Sequence, residues 1–209
     1  MAIKKQELPG IGTDIGPDIG YLITYEQMHT LITFQELWTD LSAWLRALLI
    51  SMAENLEDQE AVTHQLYSIP ADFYNIFRVF YGPSISQQLL NLLSGLTTDA
   101  RNLIASLIAG DDESVDLNLS QMYRTVNDLA AFLSRINVYW DEDQWTYLLN
   151  QFVRLFVNEA VAYLSKNYEQ EIQIYNRLDD LTDIMGSYMA RGIIARSAAG
   201  SLTPAEGTR

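Results

Sequence analysis

The 209-residue chain contains no cysteine. Disulfides, thiolate nucleophiles and cysteine-ligated metals are excluded together. Histidine is scarce as well, with two in all. A ferritin-like di-iron centre needs two Glu-x-x-His motifs plus further carboxylates. Glu26-Gln-Met-His29 supplies one such motif, Glu60 and His64 have the wrong spacing, and no second match exists. Basic residues are few, 13 against 27 acidic ones, for a net charge of -14. That balance opposes binding to phosphate backbones and to anionic lipid surfaces, so neither nucleic acid nor membrane is an expected partner. Long apolar runs are missing: Leu45 to Ala53 falls well short of the ~20 residues of a membrane span. Lys4 and Lys5 are not followed by an apolar segment of the kind a signal peptide has. The default expectation is a soluble cytoplasmic protein, with export by another route left open.

Signatures of catalysis are also wanting. Ser51, Ser94 and Ser106 fall in helical patterns rather than on a strand-to-helix elbow, and neither histidine has a recognisable triad partner. Gly10-x-Gly12 precedes no Gly-Lys-Ser/Thr and no βαβ unit, so no phosphate-binding loop is expected. No residue is assigned a catalytic role, and an enzyme is not the expected class.

What the chain does have is hydrophobic residues at 48%, enough for one well-filled core at this length. It also has a recurring pattern. Leu66-Tyr67-x4-Asp72-Phe73 returns as Met122-Tyr123-x4-Asp128-Leu129 and as Ile174-Tyr175-x4-Asp180-Leu181. The tyrosines are 56 (123 minus 67) and 52 (175 minus 123) residues apart, which suggests three units of helix, turn and helix. Tyr and Asp five residues apart lie about 140° apart on a helix, so they are not expected to pair within one. Each tyrosine is expected to pack its ring and donate its hydroxyl across a helix interface, and each aspartate to cap or bridge helices. The functional alternative gathers Asp72, Asp128 and Asp180 about a pseudo-axis as a site for a hard cation, calcium or magnesium.

Apolar residues at three-and-four spacing predict a long helix from about Thr30 to Leu56, through Phe34, Trp38, Leu41 and Leu45. Further helices are expected from Asp58 through Tyr67, from Pro70 through Phe80, and from a cap at Ser84 through Leu107. Others are expected from about Asp116 to Ile136, Glu142 to Lys166 and Tyr168 to Ala195. The aromatic runs Phe73, Tyr74, Phe77, Phe80, Tyr81 and Tyr139, Trp140, Trp145, Tyr147 read as core, with a ligand pocket as the alternative. The acids at Asp111 to Glu113 and Asp141 to Asp143 read as solvated helix starts.

The expected fold is all-α, an up-and-down bundle of about six or seven helices built from three helix-turn-helix units. It divides into an extended arm over 1–29, a bundle over 30–196 and a polar tail over 197–209. In the arm, Gly10 to Gly20 repeats Ile-Gly every four residues around Pro17, a series of turns rather than a helix or strand. A leader without fixed structure is the plain alternative. The regular spacing of Ile11, Ile15 and Ile19, with Pro17, instead suggests docking on the body or on a neighbouring subunit.

Trp44-x-Arg46, Ser51-x-Ala53-Glu54-Asn55-Leu56-x-Asp58, Phe80-Tyr81-Gly82, Ile136-Asn137-x-Tyr139, Glu159-x-Val161-Ala162 and Asn167-Tyr168 stand across about Leu37 to Ile194. Together they resemble a family of all-helical proteins from spore-forming bacteria, some labelled acetylglutamate kinase. The resemblance implies a helical bundle; no phosphate-cradling motif here corresponds to the kinase label. Members often carry a histidine in each of two long helices, where this chain has Leu96 and Phe152, so no histidine site is carried over. The arm and tail lie outside the resemblance, which implies a bundle recruited for assembly. The expected function is a non-enzymatic structural protein that forms a homo-oligomer or filament through its arm. The alternative is a bundle that binds a small ligand or cation.

Overall fold

The computed structural model describes residues 23–201, with side chains described over 23–199. The segment carrying Ile11, Ile15, Pro17 and Ile19, and the residues after 201, lie outside the described residues. Among those described the protein is all-helical, with five helices: α1 (Tyr25–Ala53), α2 (Gln59–Ala109), α3 (Asp112–Ile136), α4 (Glu142–Leu164) and α5 (Tyr168–Ser201). α1 starts at Tyr25 rather than near Thr30, because Thr24 and Gln27 close a reciprocal capping box. α5 continues to Ser201, past the expected end near Ala195.

Five helices are fewer than the six or seven expected, because the segments expected over 58–67, 70–80 and 84–107 all merge into α2, which a bend divides into two helical halves. Pro70 does not start a new helix; α2 runs through it. The break falls instead at Gly82, with φ 74° and ψ 172°, followed by Pro83 in the first-turn position that tolerates proline. Ser84 is exposed and does not cap; Ser86 donates its hydroxyl to the Gly82 carbonyl. Positive φ is inexpensive only for glycine, which is why the bend sits there.

The bend reverses the chain. Phe34 meets Phe77 and Trp38 meets Phe73, so the first half of α2 runs antiparallel to α1. Asp99 bonds Thr125 and Ser106 lies by Asn118, so the second half is antiparallel to α3. α3 is antiparallel to α4 through Asn127–Asn150 and Ser134–Glu142. α4 runs parallel to α1 through Trp38–Trp145 and Arg46–Glu159. The halves of α2 therefore point in opposite senses, and Arg101 shares a surface groove with Gln59, Thr63 and Tyr67. α5 closes the bundle against α1 and α4.

Helix ends follow the sequence closely. Asp111 and Asp141 accept from the backbone N–H of Ser114 and Gln144, so both acidic clusters are helix starts. Asn55, Gly110 and Lys166 take left-handed conformations just after α1, α2 and α4. There the following N–H reaches back five residues, as in Leu56 to Ser51 and Asn167 to Ala162.

The core is aromatic between α1, the first half of α2, α4 and α5, and mainly aliphatic between the second half of α2 and α3. Trp38, Trp145 and Phe152 pack between α1 and α4, and Phe77 stacks on Tyr81 at 4.3 Å. One end of the bundle is closed by the α3–α4 connection: Trp140 Nε1 donates to the Tyr188 carbonyl, the Asp141 N–H to Tyr188 Oη, and Asn137 to Tyr81 Oη. Two glycines permit the closest approaches. Gly192 faces the Trp140 indole, and Gly186 faces Gln35, where a Cβ would stand 2.5 Å from Gln35 Cα.

Candidate functional site

The three repeats place their apolar residues inside. Leu66, Met122 and Ile174, and seven residues later Phe73, Leu129 and Leu181, are all buried. Seven residues is two helical turns, so each pair lies on one stripe with Tyr and Asp on its flanks. Asp72, Asp128 and Asp180 are exposed at mid-helix positions on α2, α3 and α5. None of them caps a helix, since capping needs a helix end. Among the described residues, no three or more His, Asp or Glu side chains are grouped so as to hold a metal ion. The Glu26–His29 pair is exposed on the first turn of α1.

The tyrosines diverge. Tyr67 is exposed, Tyr123 half-buried, and Tyr175 lies under a cation: Arg46 Cζ stands 4.8 Å from its ring centroid. That contact belongs to the most unusual polar cluster in the protein. Arg46 of α1 forks onto Glu171 of α5, Nε to Oε1 at 2.6 Å and an Nη to Oε2 at 3.3 Å. Its Nε also stands 3.5 Å from Oε1 of Glu159 of α4. The side chain of Glu159 is fully buried, that of Glu171 nearly so, and Arg46 keeps 31% of its side chain exposed.

Two carboxylates thus share one guanidinium inside the bundle. Neither oxygen of Glu159 accepts a hydrogen bond among the described residues. Burial, and then the nearby Glu171 carboxylate, push Glu159 up to about 8, with Arg46 offsetting part of the rise. Its carboxyl therefore holds its proton more tightly than an ordinary glutamate does. Glu171 lies in the first turn of α5, where the helix dipole favours an anion, whereas Glu159 lies in the last two turns of α4, where it does not.

This cluster was not singled out by sequence reasoning, though a signal was there. Glu159 is seven residues after buried Phe152, and Glu171 seven before buried Leu178, so both acids occupy an apolar register. A charge at such a position is rare unless it is paired.

At the opposite end, Arg196 stands 4.3 Å from the Tyr81 ring centroid and, with Phe80, Ile193 and Ser197, lines a shallow hollow. Burial pushes the Tyr81 phenol up to about 12. Among the described residues, no helix is long and apolar enough to cross a membrane. No family model, curated protein or solved structure matches the chain.

Proposed function

We propose that the protein is a non-enzymatic structural protein, built from three helix-turn-helix units, that self-associates through its N-terminal segment and the start of α1. The observation that carries this reading is an apolar stripe on that helix that the other described residues leave exposed. Tyr25 is 86% exposed, and Met28 and Ile32, three and seven residues on, are 45% and 44% exposed. Their spacing puts them on one face, the arrangement by which an amphipathic helix docks on a partner. Ile11, Ile15 and Ile19 continue the apolar supply in the residues just before it. The partner in this reading is a second copy of the chain, and the apolar area buried between copies has to offset the repulsion of their acidic surfaces.

Deleting Met1 to Gly20 should leave the bundle folded, because the described helices bury a continuous core among themselves, and should dissolve the assembly. Sedimentation and circular dichroism of the truncated chain check both halves. An unchanged mass, or loss of helical signal, counts against the reading.

A further inference from the structure

We propose that Glu159 is the proton-operated element of a latch joining α1, α4 and α5: with its carboxyl un-ionised the three helices close over it, and its ionisation loosens their contact at that end.

The geometry sets this up independently of the assembly reading. Arg46 is committed by its two-pronged contact to Glu171, which leaves Glu159 only the longer 3.5 Å approach. One cation therefore faces two buried acids. Ionising the second acid would place an uncompensated negative charge in the interior, which is costly. Arg46 of α1 is the one cation acting on Glu159 among the described residues; Glu171 and Tyr175 of α5, which also face it, supply no positive charge. One turn further along α4, Tyr163 donates its hydroxyl to Glu54 of α1. No residue of α2 or α3 is among the charges acting on Glu159.

Protons can nevertheless reach the site. The partly exposed Arg46 side chain borders both water and Glu159, so a small outward movement of that arginine opens the carboxyl to solvent. The helices it would release are the last turns of α4 and the first of α5, joined only by the three-residue connection Ser165 to Asn167.

The sign follows from linkage. An acid at about 8 in the folded state and near 4.5 in the unfolded chain binds more protons when folded across that window. Stability then falls as pH rises from about 4.5 to about 8 and levels off above. Over the window this one group should lower the folded-to-unfolded ratio by on the order of a thousandfold.

The test compares the wild-type chain with Glu159→Gln, which keeps the shape and removes the titration. Urea unfolding at a series of pH values should show the wild type losing stability through the window relative to the variant. Hydrogen exchange at about pH 9 should be faster in the wild type over 159–175, and equal in the two proteins at about pH 5. Parallel pH profiles and equal exchange overturn the proposal. Should the variant fail to fold, infrared spectroscopy of the wild type decides: a protonated-carboxyl band present at neutral pH and lost on raising the pH supports the latch, and its absence refutes it. Glu171→Gln frees the guanidinium for Glu159 and should move that transition to lower pH; an unmoved transition would show that the two acids do not compete for Arg46.

Discussion

Arg46→Met isolates what the guanidinium does, because methionine keeps most of the aliphatic stem and removes only the charge and the donors. In the wild type, Arg46 neutralises Glu171 directly and approaches Glu159 at 3.5 Å. Without it, two acids with fully or almost fully buried side chains are left with no cation among the described residues. Removing one partner of a buried pair typically costs about 3–5 kcal/mol, because the remaining charge is stranded. Loss of the stacking on Tyr175 adds about 0.5–1 kcal/mol. At this chain length each kcal/mol lowers the melting temperature by about 2–4 °C, so a fall on the order of 10 °C is expected near neutral pH. The penalty should shrink in acid, because a carboxyl that has taken up a proton strands no charge. Urea denaturation followed by tryptophan fluorescence reads both values. A loss under about 1 kcal/mol at neutral pH, or a loss unchanged by acid, would refute the reasoning.

Three further substitutions probe the backbone. Gly186→Ala should destabilise by about 1–3 kcal/mol, since its Cβ would press on the Gln35 backbone and force α1 and α5 apart; a neutral effect in thermal unfolding would mean those helices are not held at that distance. Gly82→Ala meets nothing within 4 Å, so its cost of about 1–2 kcal/mol should come from the positive φ alone. Calorimetry should show that loss without any change in assembly. Lys166→Gly, at an exposed left-handed position with φ 60°, should instead stabilise by a few tenths to 1 kcal/mol, and an unchanged or lowered midpoint would contradict that.

The helices were legible where periodicity is long and caps are explicit. Phe34, Trp38, Leu41 and Leu45 announced α1, and Asp111 and Asp141 announced the starts of α3 and α4. Pro70 misled, because a helix packed on both flanks can absorb one missing hydrogen bond that a local rule treats as a stop. The recurring sequence pattern coincides with a buried apolar pair in each of its three occurrences. Their constant part is the buried pair seven residues apart, and the eye-catching Tyr and Asp are what flanks a stripe. The Arg46 cluster was legible only in part. Its members lie 113 (159 minus 46) and 12 (171 minus 159) residues apart, so only the packing of α1 against α4 and α5 brings them together. The apolar register of Glu159 and Glu171 marks each acid as unusual without naming its partner.

The claim that the protein works by self-association is tested most directly by its mass in solution, measured by light scattering over a range of concentrations for the full chain and for a Met28→Glu, Ile32→Glu variant. The account predicts a multiple of 23.8 kDa for the full chain and a shift towards 23.8 kDa when the stripe is charged. A full chain that stays at 23.8 kDa at every concentration would contradict it.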